Sequence, residues 1–201
     1  MDNDNVHEVD LNRSKLSRTF WFTCGFISMV ILLMPFIQPP TETENTSIPP
    51  GNVIVELFWD NDRDVDIDLW VKAPDDIPVG YSNQGGLFFN LLRDDLGKYK
   101  DSTPVNYEVS YSRGINEGIY ITNLHLYRED LTPFIPITAK LVVSVVDPNT
   151  KERKQILKSQ KILDNVGEEI TIFQFKLDKK GNLDKDNINN NFVPLRSGSK
   201  G

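Results

Sequence analysis

Phe20 to Ile37 reads FWFTCGFISMVILLMPFI, eighteen residues without a charge. Thr23, Cys24 and Ser28 supply its only polar character. As a helix rising 1.5 Å per residue the run spans roughly 27 Å, close to the hydrocarbon thickness of a bilayer. Pro35 sits near its end, and Pro39 and Pro40 stop the helix. The run therefore predicts a single transmembrane α-helix over 19–38. A cleaved signal peptide is the competing reading, but it needs small residues just after the run, where Gln38, Pro39 and Pro40 stand. A lipoprotein signal places its cysteine after the apolar run, whereas Cys24 lies inside it.

The flanks predict an orientation. Arg13, Lys15 and Arg18 precede the run, and the next basic residue after it is Arg63. The positive-inside rule puts the tail 1–18 in the cytoplasm and the rest across the membrane. In a bacterium this makes an inner-membrane protein with a periplasmic bulk. The lone cysteine, Cys24, leaves no internal disulfide framework and no cysteine-based zinc cage. The net charge of −7 over 201 residues argues against nucleic acid as a partner.

Thr41 to Asn52, TETENTSIPPGN, has no apolar period, so 39–52 reads as a proline-bearing linker. Beyond it the pattern changes to short, β-branched and aromatic segments bounded by turn residues. Val53–Trp59, Val65–Lys72, Leu87–Arg93, Val105–Ser112, Ile119–Arg128, Ile135–Val146, Ile156–Leu163 and Glu169–Leu177 are the predicted strands. Ile137, Ala139, Leu141, Val143 and Val145 share one face; Thr171, Phe173, Phe175 and Leu177 share another. No stretch of 53–178 repeats at 3.6 residues. A mainly β fold follows, an antiparallel β-sandwich of about eight strands, with a closed barrel as the alternative. Asp147-Pro148-Asn149-Thr150 predicts a turn, and Lys180-Gly181-Asn182 ends the last strand. The tail 179–201 is rich in Asn, Lys, Asp, Ser and Gly and reads as disordered.

The densest chemistry is Trp59-Asp60-Asn61-Asp62-Arg63-Asp64-Val65-Asp66-Ile67-Asp68-Leu69-Trp70. Aspartates occupy every second position, and strand geometry sends Asp64, Asp66 and Asp68 to one face and Val65, Ile67 and Leu69 to the core. Like charges about 7 Å apart repel unless water, a cation or a basic partner faces them. A solvated face is the plain reading. The alternative is a divalent metal, calcium, held by Asp60, Asp62, Asp64, Asp66 and Asp68. The EF-hand loop is absent, lacking its glycine and its closing glutamate. Asp94 and Asp95 add ligands if their segment meets this one; otherwise they shape a turn closed by Gly97.

Catalysis finds little support. His125 is the only imidazole beyond the span and alternates with apolar residues, so it reads as a packed strand residue. No nucleophile elbow, P-loop, zincin or dinucleotide motif is present. Hydrolysis by paired carboxylates needs a desolvated pocket, and these aspartates read as exposed. Trp59, Trp70, Tyr81, Tyr107, Tyr111, Tyr120 and Tyr127 read as packing residues before they read as a ligand platform. Lys151, Arg153, Lys154, Lys158 and Lys161 form a basic stripe around a hairpin, read as solvated.

Two segments carry a resemblance. Leu57-Phe58-Trp59-Asp60 followed by Asp64-Val65-Asp66-Ile67-Asp68-Leu69-Trp70-Val71-Lys72-Ala73-Pro74, and Gly114 to Tyr127 with a glycine turn entering a strand that ends in an aromatic, resemble the YfaP-like β-sandwich domains of the bacterial envelope. The resemblance covers about Val53 to Leu177 and implies a secreted or membrane-anchored domain with no established enzymatic activity. The layout of tail, span, linker and domain is similar to that of ExbD, TolR and MotB, which implies a multi-span membrane partner. Those anchors carry an aspartate within the span, and Phe20 to Ile37 has none, so their ion-carrying role does not transfer. The expectation is a non-enzymatic, single-pass protein, structural or accessory to an envelope complex. It would meet a multi-span protein or a second copy through the span, where Gly25 and Ser28 allow close helix packing. A periplasmic protein or glycan would meet the sandwich.

Overall fold

In the computed structural model, residues 20–29, 52–97, 104–129 and 133–196 are described. The chain divides into two units, Met1–Ser47 and Ile48–Gly201. In the first, 20–29 is helical. The remainder of the expected span, the tail 1–18 and most of the linker lie outside the described residues. Among the described residues no helix is long and apolar enough to cross a membrane.

The second unit is built from nine strands: β1 (Val53–Phe58), β2 (Val65–Lys72), β3 (Phe89–Arg93), β4 (Tyr107–Ser112), β5 (Gly118–Glu129), β6 (Ile137–Val146), β7 (Arg153–Leu163), β8 (Glu169–Leu177) and β9 (Leu183–Asn189). They form two antiparallel sheets, ordered β3-β4-β1-β6-β7 and β2-β5-β8-β9. Two elements, β2 and β8, carry the bounds the sequence predicts, β1 and β3 to β7 shift by a few residues, and β9 has no predicted counterpart.

One apolar core lies between the sheets. Val53, Val55 and Leu57 of β1 and Ile137, Ala139, Leu141, Val143 and Val145 of β6 meet Val65, Ile67, Leu69 and Val71 of β2. Tyr120, Leu124, Leu126, Phe175 and Leu177 complete it from β5 and β8. The β6 face is the one the alternation predicts. In β8 the alternation breaks, because the register shifts opposite Thr122 and Asn123, pairing Thr122 with Phe173 and Asn123 with Thr171. This bulge turns Ile172 into the core and leaves Thr171 to accept a hydrogen bond from the Val193 N–H.

The turn at Asp147 forms as expected, its carboxylate accepting the main-chain N–H groups of Asn149 and Thr150. The expected disordered tail is corrected over most of its length. The turn Asp178–Asn182 leads into β9, which pairs with β8. The chain then crosses the outer side of the second sheet. The Val193 N–H donates to Thr171 Oγ1 at 3.0 Å, and Asn123 Nδ2 donates to the Val193 carbonyl at 2.7 Å. Leu195 is buried there with Trp70 and Ile121. Composition hid this because strand pairing, side-chain hydrogen bonds with Thr171, Asn123 and Glu169, and the packing of Val193 and Leu195 hold the segment, not a run of apolar residues.

Candidate functional site

The aspartates of the 59–70 segment part company. Asp60 and Asp62 lie in the exposed turn between β1 and β2. Asp60 Oδ1 accepts the Asp62 N–H at 3.0 Å, an Asx turn closed on itself. Asn106 pins this turn from the far side, donating to the carbonyls of Asp60 at 2.6 Å and Arg63 at 3.0 Å. Asp64 is half-exposed and accepts from Arg128 at 3.1 Å. Asp66 and Asp68, by contrast, are each only 3% exposed. The solvated face expected for 64, 66 and 68 is therefore corrected at the last two positions. The five aspartates do not form one ligand set.

Asp66 and Asp68 are covered by chain from elsewhere. Asp68 Oδ2 lies 2.6 Å from His125 Nδ1 on the neighbouring β5. A register shift between Asp66 and Ile67 sets Asp66 opposite Arg128. Asp94, just after β3, and Glu108, on β4, supply two further carboxylates: ligand oxygens of Asp68, Asp94 and Glu108 all lie within 4.8 Å of one another. Asp94 and Asp95 thus do meet the aspartate strand, and they also shape a turn closed by Gly97, whose φ is +71°. Glu108, which sequence reasoning passed over, is fully buried.

Glu108 reaches this place from the other sheet. Its neighbours Tyr107 and Val109 pack on the outer side of the first sheet with Ile54, so Glu108 turns inward. There it faces the edge of β2 away from β5, an edge that no other named strand covers and that Val79 bridges at Val71. Oε2 accepts the Leu69 N–H at 2.7 Å, and Oε1 accepts the Asp95 N–H at 3.1 Å. A side chain rather than a ladder bridges the seam, so the sheets do not close into a barrel. Asp95 ties down the same loop, accepting from the Gly97 N–H at 3.0 Å, the Tyr107 N–H at 2.9 Å and Arg93 at 2.8 Å.

So many acids in one dry place shift one another. Burial, then the charges of Asp68 and Asp94, pushes the Asp66 carboxyl up from 3.8 to about 7, with Arg128 opposing. Burial pushes Glu108 well above the carboxylate range, against the stabilising Leu69 N–H. Burial and then Asp68 raise Asp94, whose carboxylate also engages Glu108 and Gln84. Asp66 Oδ1 and Asp94 Oδ1 are nonetheless buried without a hydrogen-bond partner. Such a cluster can hold protons or a hard cation.

The remaining candidates fall on the plain side. His125 is packed and engaged by Asp68. Trp59, Trp70 and Tyr120 are buried, while Tyr81 and Tyr127 stand exposed with rings 6.1 Å apart. In the basic stripe, Arg153 pairs with Glu56. Lys151, Lys154 and Lys158 are exposed.

Comparison with protein-family models, with curated proteins and with solved structures finds no match.

Proposed function

We propose that the chain is a single-pass membrane protein displaying a non-catalytic β-sandwich on the far side of the membrane, as a structural or accessory component of a bacterial envelope complex. The observation that carries this is the uncharged run Phe20 to Ile37, with Arg13, Lys15 and Arg18 on one flank and no further basic residue until Arg63. The sandwich-like unit that follows suits display and binding. Its one imidazole is buried against Asp68, and its densest acids are engaged with main-chain N–H groups and with each other. Neither arrangement presents a nucleophile with a base beside it.

The span would meet a multi-span partner, and the sandwich a periplasmic protein. A periplasm-dependent reporter fused after Asn52 should be active, and a silent one refutes the orientation. Crosslinking and purification of the full chain in mild detergent should recover a multi-span protein. Recovery of the chain by itself under conditions that preserve such complexes counts against the accessory role.

A further inference from the structure

We propose that Asp68, Asp94 and Glu108 hold one calcium ion in the seam between the two sheets, with the buried carboxylate of Asp66 adding negative charge from the same strand as Asp68. The site is distinct from the turn at Asp60 and Asp62, and it stands whether or not the chain spans a membrane.

Distance is the first argument. Oxygens bound to one calcium at about 2.3–2.6 Å lie at most about 5 Å apart, and a triad within 4.8 Å meets that limit pair by pair, with a common centre no more than about 2.8 Å from each oxygen. The second argument is independent of the clustering. Asp66 is 3% exposed, and its Oδ1 has no hydrogen-bond partner. Asp66 stands two residues before Asp68 on β2, on the same face, since Val65, Ile67 and Leu69 turn to the core. Asp94 Oδ1 is likewise buried without a partner. An orphaned buried carboxylate oxygen is expensive. A proton on Glu108 satisfies one acceptor, whereas a divalent ion among Asp68, Asp94 and Glu108 offers a contact to each of the three and a counter-charge to Asp66.

The donor set selects the ion. All the ligands are hard carboxylate oxygens. His125 has its Nδ1 turned to Asp68, and the chain's only cysteine is Cys24, so the soft ligands that favour zinc are missing. Magnesium needs a tighter shell of about 2.1 Å and keeps several waters, which suits a buried, multi-carboxylate seam less well than calcium does. An ion here joins Asp68 on β2, Asp94 in the connection after β3 and Glu108 on β4. It therefore ties β2 of one sheet to β4 of the other and to the connection that follows β3.

Calorimetry on the full-length chain, purified in mild detergent and stripped with a chelator, tests the site with calcium chloride as the probe. One calcium per chain and a rise in melting temperature are expected. Asp94 holds none of the main-chain N–H groups that Glu108 and Asp95 hold, so Asp94→Asn should fold and lose at least about tenfold in calcium affinity. The Asp60→Asn, Asp62→Asn double variant should bind as the parent does. No heat and no melting shift in millimolar calcium would overturn the site. So would an Asp94→Asn chain that binds unchanged, or loss confined to the double variant. Equal affinity for magnesium would overturn the choice of ion.

Discussion

The Leu69 main-chain N–H donates to Glu108 Oε2 across 2.7 Å, joining the edge of one sheet to a carboxylate carried by the other. An edge strand normally leaves such N–H groups to water or to an intruding strand. Here a buried acid takes the role, and its second oxygen holds the Asp95 N–H.

Glu108→Ala should therefore cost more than its lost charge repulsion returns. Two buried N–H groups lose their acceptor, at roughly 1–3 kcal/mol each. A net loss of about 3 kcal/mol is expected in urea unfolding of the full chain, followed by tryptophan fluorescence. Glu108→Gln keeps one acceptor oxygen and should lose less. Parental stability in the alanine variant would show that the bridge contributes nothing.

Stability in the presence of chelator should fall as pH rises. Asp66 has a folded-state value near 7 against an ordinary 3.8, so between these values the folded chain holds a proton that the unfolded chain has released. Its contribution is fully present below about pH 3.8 and is lost as pH passes through about 7. The change is on the order of a few kcal/mol. Melting temperatures from pH 4.5 to 8 should decline, and Asp66→Asn should flatten the decline. An equal slope in the variant would assign the effect to another group.

Gly97 closes the loop that carries Asp94 and Asp95. Its φ is +71°, and an added Cβ would stand 2.8 Å from Asp64 Oδ1 and 3.0 Å from the Val65 carbonyl. Gly97→Ala is expected to cost about 1–2 kcal/mol through backbone strain and this contact. Thermal melting reads the loss, and an unchanged melting temperature would show that the loop relaxes freely.

The segment that follows β9, as far as residue 196, is part of the fold. Leu195 is buried against Trp70 and Ile121, and Leu195→Ala should cost about 2–3 kcal/mol. Truncation after Asn189 should also shift tryptophan emission to the red, as water reaches Trp70. A truncated chain with parental emission and stability would return this segment to the status of a loose tail.

Much of the fold was legible in the sequence because its cause is local. Val65–Lys72 alternates so clearly that its bounds can be read directly, and the turn at Asp147 is written in its own side chain. The ninth strand was not legible, because Leu183–Asn189 is mostly polar and is held by pairing with β8. The site was legible by half. Alternation places Asp66 and Asp68 on one face but does not say whether water or protein covers it. Tyr107 to Ser112 alternates equally well with either side inward, and its aromatic residues suggest the wrong one.

The sequence by itself determined the uncharged run, the charge asymmetry around it, and the antiparallel β character of the unit beyond it. These depend on periodicity and composition along the chain. The tertiary structure alone decided that the aspartate strand is buried, that Glu108 faces inward, and that Asp94 joins them. Leu69 and Glu108 are 39 positions apart, and their meeting follows from how two sheets share one core. Packing between distant segments determines which carboxylates lose water, and so which carry chemistry.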